Sequence, residues 1–438
     1  MLTKSLVLKI FEGFSIERWN DLVRPFDMIE MDKAAEKMMV AYIIGKFEEE
    51  RGQSLDWDWM IHASFFELLR KIALCDIKSP VQRMIRRDYP AEYRKLNQWV
   101  VQQYRELLPQ KGLLERFEDY CCGPAPDPTS LVGRTARMFR AAHKYSTLRE
   151  FQMISVVNEK FRLDPIEEGL NRDIEEYLDL RALQLLVTKQ KPYRFLMMLE
   201  QLRFQTRWNQ TPRVPRTSVL GHSFFVAILT LLLEYASGTT FCEGRRYNNF
   251  FCGLFHDLPE AVTRDIISPV KQATDGLPHI VKLIEDEIVG KELSPLMDDC
   301  YRDELMYFTS NEFANRIRVP EPGTLFAREM PEEVAQLPPG QQLEVSFEEL
   351  NQRYNFDEFS PVDGNLVKVA DHIAAFLEAD SSIRYGITSQ HLTSGKENLL
   401  CLYRQRGRVN GFDVAAFFSQ FQEGLINNLD YADTIAYD

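Results

Sequence analysis

The sequence predicts an all-α protein, and three observations carry that prediction. Apolar and charged residues alternate at helical spacing over most of the 438 residues, no Gly-rich phosphate loop follows a strand-like run, and two short segments recur at one fixed offset, so the helices come in two sets. Hydrophobic residues make up 45% of the chain, enough for more than one core.

In chain order, SLVLKIFEGF from Ser5, EKMMVAYIIGKFEEE from Glu36 and FFELLRKIAL from Phe65 read as helices of the first set. RFLMMLEQLRF from Arg194, FFVAILTLLLEY from Phe224 and LVKVADHIAAFLEA from Leu366 read as helices of the second. The run Phe224 to Leu233 is about half the length needed to span a bilayer, so a core helix is expected there.

Arg18-Trp19-Asn20 recurs as Arg207-Trp208-Asn209, and DIKSPV from Asp76 recurs as DIISPV from Asp265, both at an offset of 189 residues (207 − 18 and 265 − 76). The same offset brings Arg24 onto Arg213, Phe66 onto Phe255 and Leu69 onto Leu258. A tandem duplication is the expectation, with one unit at 1–189 and the second at 190–438. From Asp265 to Asp371 the second unit runs 106 residues (371 − 265), against 67 from Asp76 to His143 (143 − 76) in the first. An irregular surface insertion is expected within about 310–364, where VPEPGT, REMPEE and QLPPGQ cluster prolines and acids.

The formal charge of −13 sets up a field that repels a nucleic-acid backbone and an anionic membrane surface, which favours a small-molecule substrate over either. Seven cysteines without a CxxC make a poor disulfide framework and suit a reducing compartment. Lys9 and Glu12 interrupt the apolar N-terminus before a signal-peptide core could form, so a cytoplasmic protein is expected. Homo-oligomerisation is left open.

His222 opens HSFFVAILTLLLEY and His256 closes NNFFCGLFHD. Either alone reads more readily as a hydrogen-bonded core or cap histidine than as a ligand. Asp257 beside His256, and Asp371 inside an apolar helical pattern, change the balance, because a buried carboxylate needs a partner. One divalent cation could serve both acids. Two imidazoles and two carboxylates suit Mn, Fe, Co, Ni or Zn, with open positions for water and substrate and no thiolate to suggest a structural zinc. The first unit places Lys33, Glu67 and Leu68 where the second has His222, His256 and Asp257, and a looser alignment of MFRAAHKY with LVKVADHI puts His143 where Asp371 stands. It cannot hold the same metal.

The order H…HD…D along helices resembles the HD superfamily of metal-dependent phosphohydrolases. HDLPEAVTRDIISPVK from His256 is similar to a segment of the bacterial 5′-deoxynucleotidases of that superfamily, in which an Arg-Trp pair lies fifteen residues before the first metal histidine, as Arg207-Trp208 do here (222 − 207). The resemblance covers about 194–379 without the insertion and implies two tandem HD-like helical bundles, the first without ligands. It implies a metal on His222, His256, Asp257 and Asp371, the substrate phosphate on Arg207, and Glu260 orienting the attacking water or protonating the leaving alkoxide. It also implies Trp208 and Asp265 against the sugar, disfavouring a 2′-hydroxyl. Glu260 falls on the helical face of His256 and Asp257 by spacing, although Pro259 removes a backbone donor there and can break the helix.

Two nearby features also have plain structural readings. Arg203 and Arg213 suit an anionic substrate or a solvated basic face, Arg213 also a structural role shared with Arg24, Arg216 is left undecided, and Trp208, like its twin Trp19, could be a core tryptophan. His62, His279, His372 and His391 show no ligand spacing. Three functions remain: release of phosphate from deoxyribonucleoside 5′-monophosphates, removal of tripolyphosphate from dNTPs, and a nucleotide-binding regulatory or assembly protein built on the same fold.

Overall fold

A computed structural model of the chain describes residues 2–108, 110–264, 274–321, 334 and 336–421. Helices dominate it, as the periodicity predicts, with a few short strands.

At the centre lies the Val219–Ser237 helix, apolar on every face and therefore buried on every face. Its start is fixed by Ser218, whose hydroxyl accepts from the Gly221 N–H at 2.9 Å, and its end by Gly238 at φ 75°, a left-handed position suited to glycine. By length and composition it could cross a membrane, but it is packed inside the protein by the Glu30–Glu50, Glu243–Phe255 and Gly364–Arg384 helices. The Glu243–Phe255 helix comes closest at Gly253, where an added Cβ would sit 2.9 Å from the Cα of Ala227.

The first half has its own central helix, Glu30–Glu50, almost wholly buried although it carries many charges. Each buried charge is matched. Glu30 pairs with Arg18, Asp32 accepts from the Ser218 hydroxyl, Glu36 pairs with Arg203, and Lys37 pairs with Glu67 at 2.9 Å. Asp32 and Glu36 reach across to the second half, and one apolar cluster runs from Leu2 to Phe421, so the core is continuous across position 189.

Several local geometries recur at the offset of 189. The backbone bridge Glu17–Ile29 has its counterpart in Thr206–Ser218. Trp19 and Trp208 both stand in the left-handed region, at φ 57° and 54°, as do Cys75 and Arg264, at φ 52° and 65°. Arg24 donates to the carbonyl of Arg18 and Arg213 to that of Arg207.

Where the prolines suggest an irregular insertion, the described residues form a small antiparallel sheet. Asn315–Arg318 lies between Gln342–Glu344 and Val362–Asp363, with Ile317 opposite Leu343 and Asn315 opposite Asp363. Ile317, Leu350, Tyr354 and Phe359 give it a separate apolar cluster, and a Ser346/Glu349 capping box starts the Phe347–Gln352 helix. Strands of two to four residues are too short for alternation to show in sequence. REMPEE and the second half of VPEPGT lie outside the described residues.

The last strand runs directly into the Gly364–Arg384 helix, and Asp363 at that junction is fully buried. Arg245, also fully buried, donates to both its oxygens, at 2.6 and 2.7 Å, while Asn249 and Asn410 donate at 2.9 and 3.1 Å. This clamp ties the helix that precedes His256 to the helix that carries Asp371. Asp363→Ala leaves a guanidinium buried without its partner and is expected to destabilise the fold by about 3–5 kcal/mol, read as a shift in the urea midpoint at unchanged slope; a change of under about 1 kcal/mol would show that Arg245 finds another partner.

Candidate metal centre

His222 sits at the first turn of the central helix and is fully buried. His256 follows the last residue of the Glu243–Phe255 helix, and its Nδ1 lies 2.8 Å from the carbonyl of Gly253, an arrangement that protonates Nδ1 and leaves Nε2 facing the site. A ring nitrogen of His222, a ring nitrogen of His256 and a carboxylate oxygen of Asp257 all lie within 4.8 Å of one another. Asp371 joins through His222, with Oδ1 3.0 Å from its Nε2. The structure thus brings together the four residues that the sequence singles out.

The donor set fits a cation. Two ligands about 2.1 Å from one metal, at angles between square and tetrahedral, stand roughly 3.0–3.4 Å apart. The His222–Asp371 contact is 3.0 Å and the His256 Nε2–Asp257 Oδ1 contact 3.2 Å, while His222 Nε2 to Asp257 Oδ2 is longer at 3.9 Å. His256 Nε2 and Asp257 Oδ2 are buried without a hydrogen-bond partner among the described residues. Asp257, Asp371 and Glu378 all lie within 3.7 Å of the Arg207 guanidinium.

Electrostatics follow from that crowding. Burial opposes a charge on His256, but Asp257 and Asp371 outweigh it and push its pKa up to about 9. Burial likewise opposes the Asp257 and Asp371 carboxylates, yet the two histidines and Arg207 hold both below the usual range, Asp371 far below. Arg207 is raised in turn: burial works against it, and Glu378, Asp371, Asp257 and Glu260 prevail.

Arg207 places its Nη atoms 3.6 Å from Asp257 and 3.7 Å from Asp371. Trp208 is held in its left-handed backbone by an Nε1–H bond to Glu378 at 2.7 Å. Glu260 begins a separate short helix, Glu260–Thr263, capped by Pro259. The helix before it stops at Phe255, so a break at Pro259 stands where spacing alone predicts a continuous helix, with the Glu260 N–H donating to the Asp257 carbonyl at 3.0 Å. Its backbone carbonyl accepts from Gln205 at 2.7 Å. Asp265 lies outside the described residues.

Of the nearby arginines, Arg203 is buried against Glu36 and Arg213 donates to Thr217 Oγ1 at 2.7 Å, which gives both a structural role. Arg216 is exposed. His62 bonds Tyr235 and His372 bonds Tyr403, each at 2.7 Å, while His279 and His391 are exposed.

Sequence reasoning missed Glu378. It is only 2% exposed and gathers the Trp208 indole, the Thr217 hydroxyl at 2.8 Å, Arg207 Nε at 3.4 Å and His222 Nδ1 at 3.5 Å. Burial raises its pKa and Arg207 and His222 overcome that, leaving it well below the usual range. The available signal was an acid inside an apolar pattern two helical turns after Asp371.

At the corresponding place in the first half, Lys33 Nζ bonds Ser146, Thr147 and the His143 carbonyl at 2.7, 2.9 and 3.3 Å. Glu67 is shared between Lys37 and His143 Nδ1, the latter at 3.4 Å. Burial draws His143 down to about 4 despite Glu67.

Residues 199–400 match the HD domain family, which supports membership of the HD superfamily for this part of the chain and, in general terms, a metal-dependent phosphohydrolase. No curated protein matches the chain at a significant level.

Two outcomes are expected. Metal content, measured by plasma mass spectrometry on the purified protein, falls at least tenfold in His256→Ala or Asp257→Ala and is unchanged in Lys33→Met or Glu67→Gln; metal lost with the latter pair would place ligands in the first half. Glu378→Gln, which weakens the grip on Arg207 and His222, lowers kcat or metal affinity by about 10–100-fold while the fold survives.

Proposed function

We propose that the second half of the chain is a metal-dependent phosphohydrolase acting on nucleotides, and that its substrates are deoxyribonucleoside 5′-monophosphates. The observation that carries this is Arg207, a guanidinium anchored to Glu378 and held within 3.7 Å of two of the four metal-site residues. A phosphoryl group brought to the ligands meets that guanidinium already in place. The HD-domain match supports phosphoester hydrolysis in general, and the narrower choice of a nucleoside monophosphate rests on the HDxxE form and the Arg-Trp spacing.

Mn, Fe, Co, Ni or Zn on His222, His256, Asp257 and Asp371 would supply an acidified water and polarise a phosphoryl oxygen. Arg207 holds the phosphate and offsets charge that builds on it. As the water oxygen bonds to phosphorus and the ester P–O bond breaks, Glu260 orients the water or hands a proton to the leaving 5′-oxygen. Trp208 lies beside Arg207 in the chain, the place for a sugar contact, and we assign Asp265 the same task.

In this reading residues 1–189 are a degenerate copy of the same unit. The paired backbone bridges, the two left-handed tryptophans and the identical Arg24 and Arg213 contacts support it. The substrate is a free cytoplasmic nucleotide, neither a nucleic-acid polymer nor a membrane component, consistent with the net charge of −13.

The test is release of phosphate and polyphosphate from nucleoside mono- and triphosphates with Mn, Co, Ni, Fe and Mg, wild type against Asp257→Ala. Phosphate from dNMPs that vanishes in the variant is the expected outcome. Tripolyphosphate from dNTPs would replace the monophosphatase reading, and silence across the panel with metal bound would sink both.

A further inference from the structure

A cavity of about 1040 Å³ opens in the first half, between the Trp57–Leu74, Pro90–Tyr104, Lys111–Cys122 and Leu131–Ser155 helices. None of His222, His256, Asp257 or Asp371 lines it. The Glu67–His143 pair lines it, and its walls include the rings of Trp59, Phe66, Tyr93, Tyr120 and Phe139.

The charge of this cavity is opposite to that of the chain. Arg86, Arg94, Arg116, Arg140 and Lys144 line it, against Glu67 and Asp119. Glu67 is already spent on Lys37, while Arg116 and Lys144 are bound to Asp58 and Asp173. Arg86, Arg94 and Arg140 are exposed at its rim and make no ion pair among the described residues. In a protein of net charge −13, a concave surface lined in this way concentrates positive potential and draws anions in. Guanidinium groups match phosphate oxygens in pairs, aromatic walls suit a flat ring, and the volume is that of a small-molecule site.

We propose that this cavity binds a nucleoside phosphate, with the phosphates at the arginine rim and the base among the rings, and does not cleave it. The ligand class is read from the cavity lining alone, independently of which phosphoester the second half hydrolyses. Cleavage is ruled out by what stands at the ligand positions. Lys33 is committed to Ser146, Thr147 and His143, Glu67 to Lys37 and His143, and Leu68 offers no donor.

Calorimetric titration of the full chain with dATP in EDTA tests this, with adenosine and tripolyphosphate as part-ligands and Arg94→Ala/Arg140→Ala as the variant. The expectation is that dATP binds without metal and more tightly than either part-ligand. The double variant should weaken that binding at least tenfold, while its metal-dependent phosphate release and thermal midpoint match wild type. Absence of dATP binding in EDTA, binding unchanged in the double variant but lost in Arg207→Ala, or tripolyphosphate binding as tightly as dATP would each overturn it. A wild type that binds dATP in this way yet hydrolyses nothing would count against the active-site reading alone.

Discussion

A carboxylate that water cannot reach must be met by donors on every side, and Glu378 imposes that demand on everything around it. It draws the Arg207 side chain, the Trp208 indole, the Thr217 hydroxyl and one face of the His222 ring to one point. Arg213 then braces the Arg207 carbonyl and Thr217 from behind. Thus the residue expected to hold phosphate and the first metal-site histidine share one buried anchor, and neither can shift without unpairing it. The Arg245–Asp363 clamp does the same for the other two ligand-bearing elements.

The first half keeps the anchor without the metal. Glu150 lies seven residues after His143, as Glu378 lies seven after Asp371. Arg18 grips Glu150 at 2.9 Å and Trp19 donates to it at 3.0 Å, the same two residue types in the same roles. The difference is that Glu30 also takes Arg18, at 2.6 Å, where the second half has Val219. Arg18 bonds two buried carboxylates directly, whereas Arg207 stands 3.4, 3.6 and 3.7 Å from Glu378, Asp257 and Asp371, and the Lys33 amine and His143 imidazole are tied up in bonds of their own. The frame is therefore separable from the donor set: the same packing recurs in the first half, where Lys33, Glu67, Leu68 and His143 stand in place of His222, His256, Asp257 and Asp371.

Much of this was legible in the sequence. His222, His256, Asp257 and Asp371 stood out because polar groups in apolar helices need an explanation, and the structure gathers them. The repeat placed Trp19 opposite Trp208 before any geometry was known. Glu378 escaped because a single acid in an apolar run reads as a helix facing solvent on one side, and only the fold reveals that its side faces Arg207. The small sheet of the insertion was hidden by strands of two to four residues. The continuous core was hidden for a different reason. Asp32, Glu36 and Lys37 make the Glu30–Glu50 helix look half solvated, whereas their partners Ser218, Arg203 and Glu67 bury them. For Asp32 and Glu36 the partners stand 186 and 167 residues away, and pairing at that distance leaves no local trace.

These anchors also bear on what the metal does for the protein. In small zinc domains the ligands are ordered only when the metal arrives, so binding and folding are one event. Here the orienting bonds use other atoms. His256 spends Nδ1 on the Gly253 carbonyl, His222 turns Nδ1 toward Glu378, and Asp371 rides on a helix whose start is fixed by Asp363 and Arg245. Both Nε2 atoms are left facing the site, arranged by contacts that owe nothing to an ion. Asp257, Asp371 and Glu378 gather around the Arg207 guanidinium, and with the histidines it holds all three carboxylates below their usual range. A cation bound there would meet a frame that is already assembled, and so the fold, through Glu378 and Asp363, decides where it can sit.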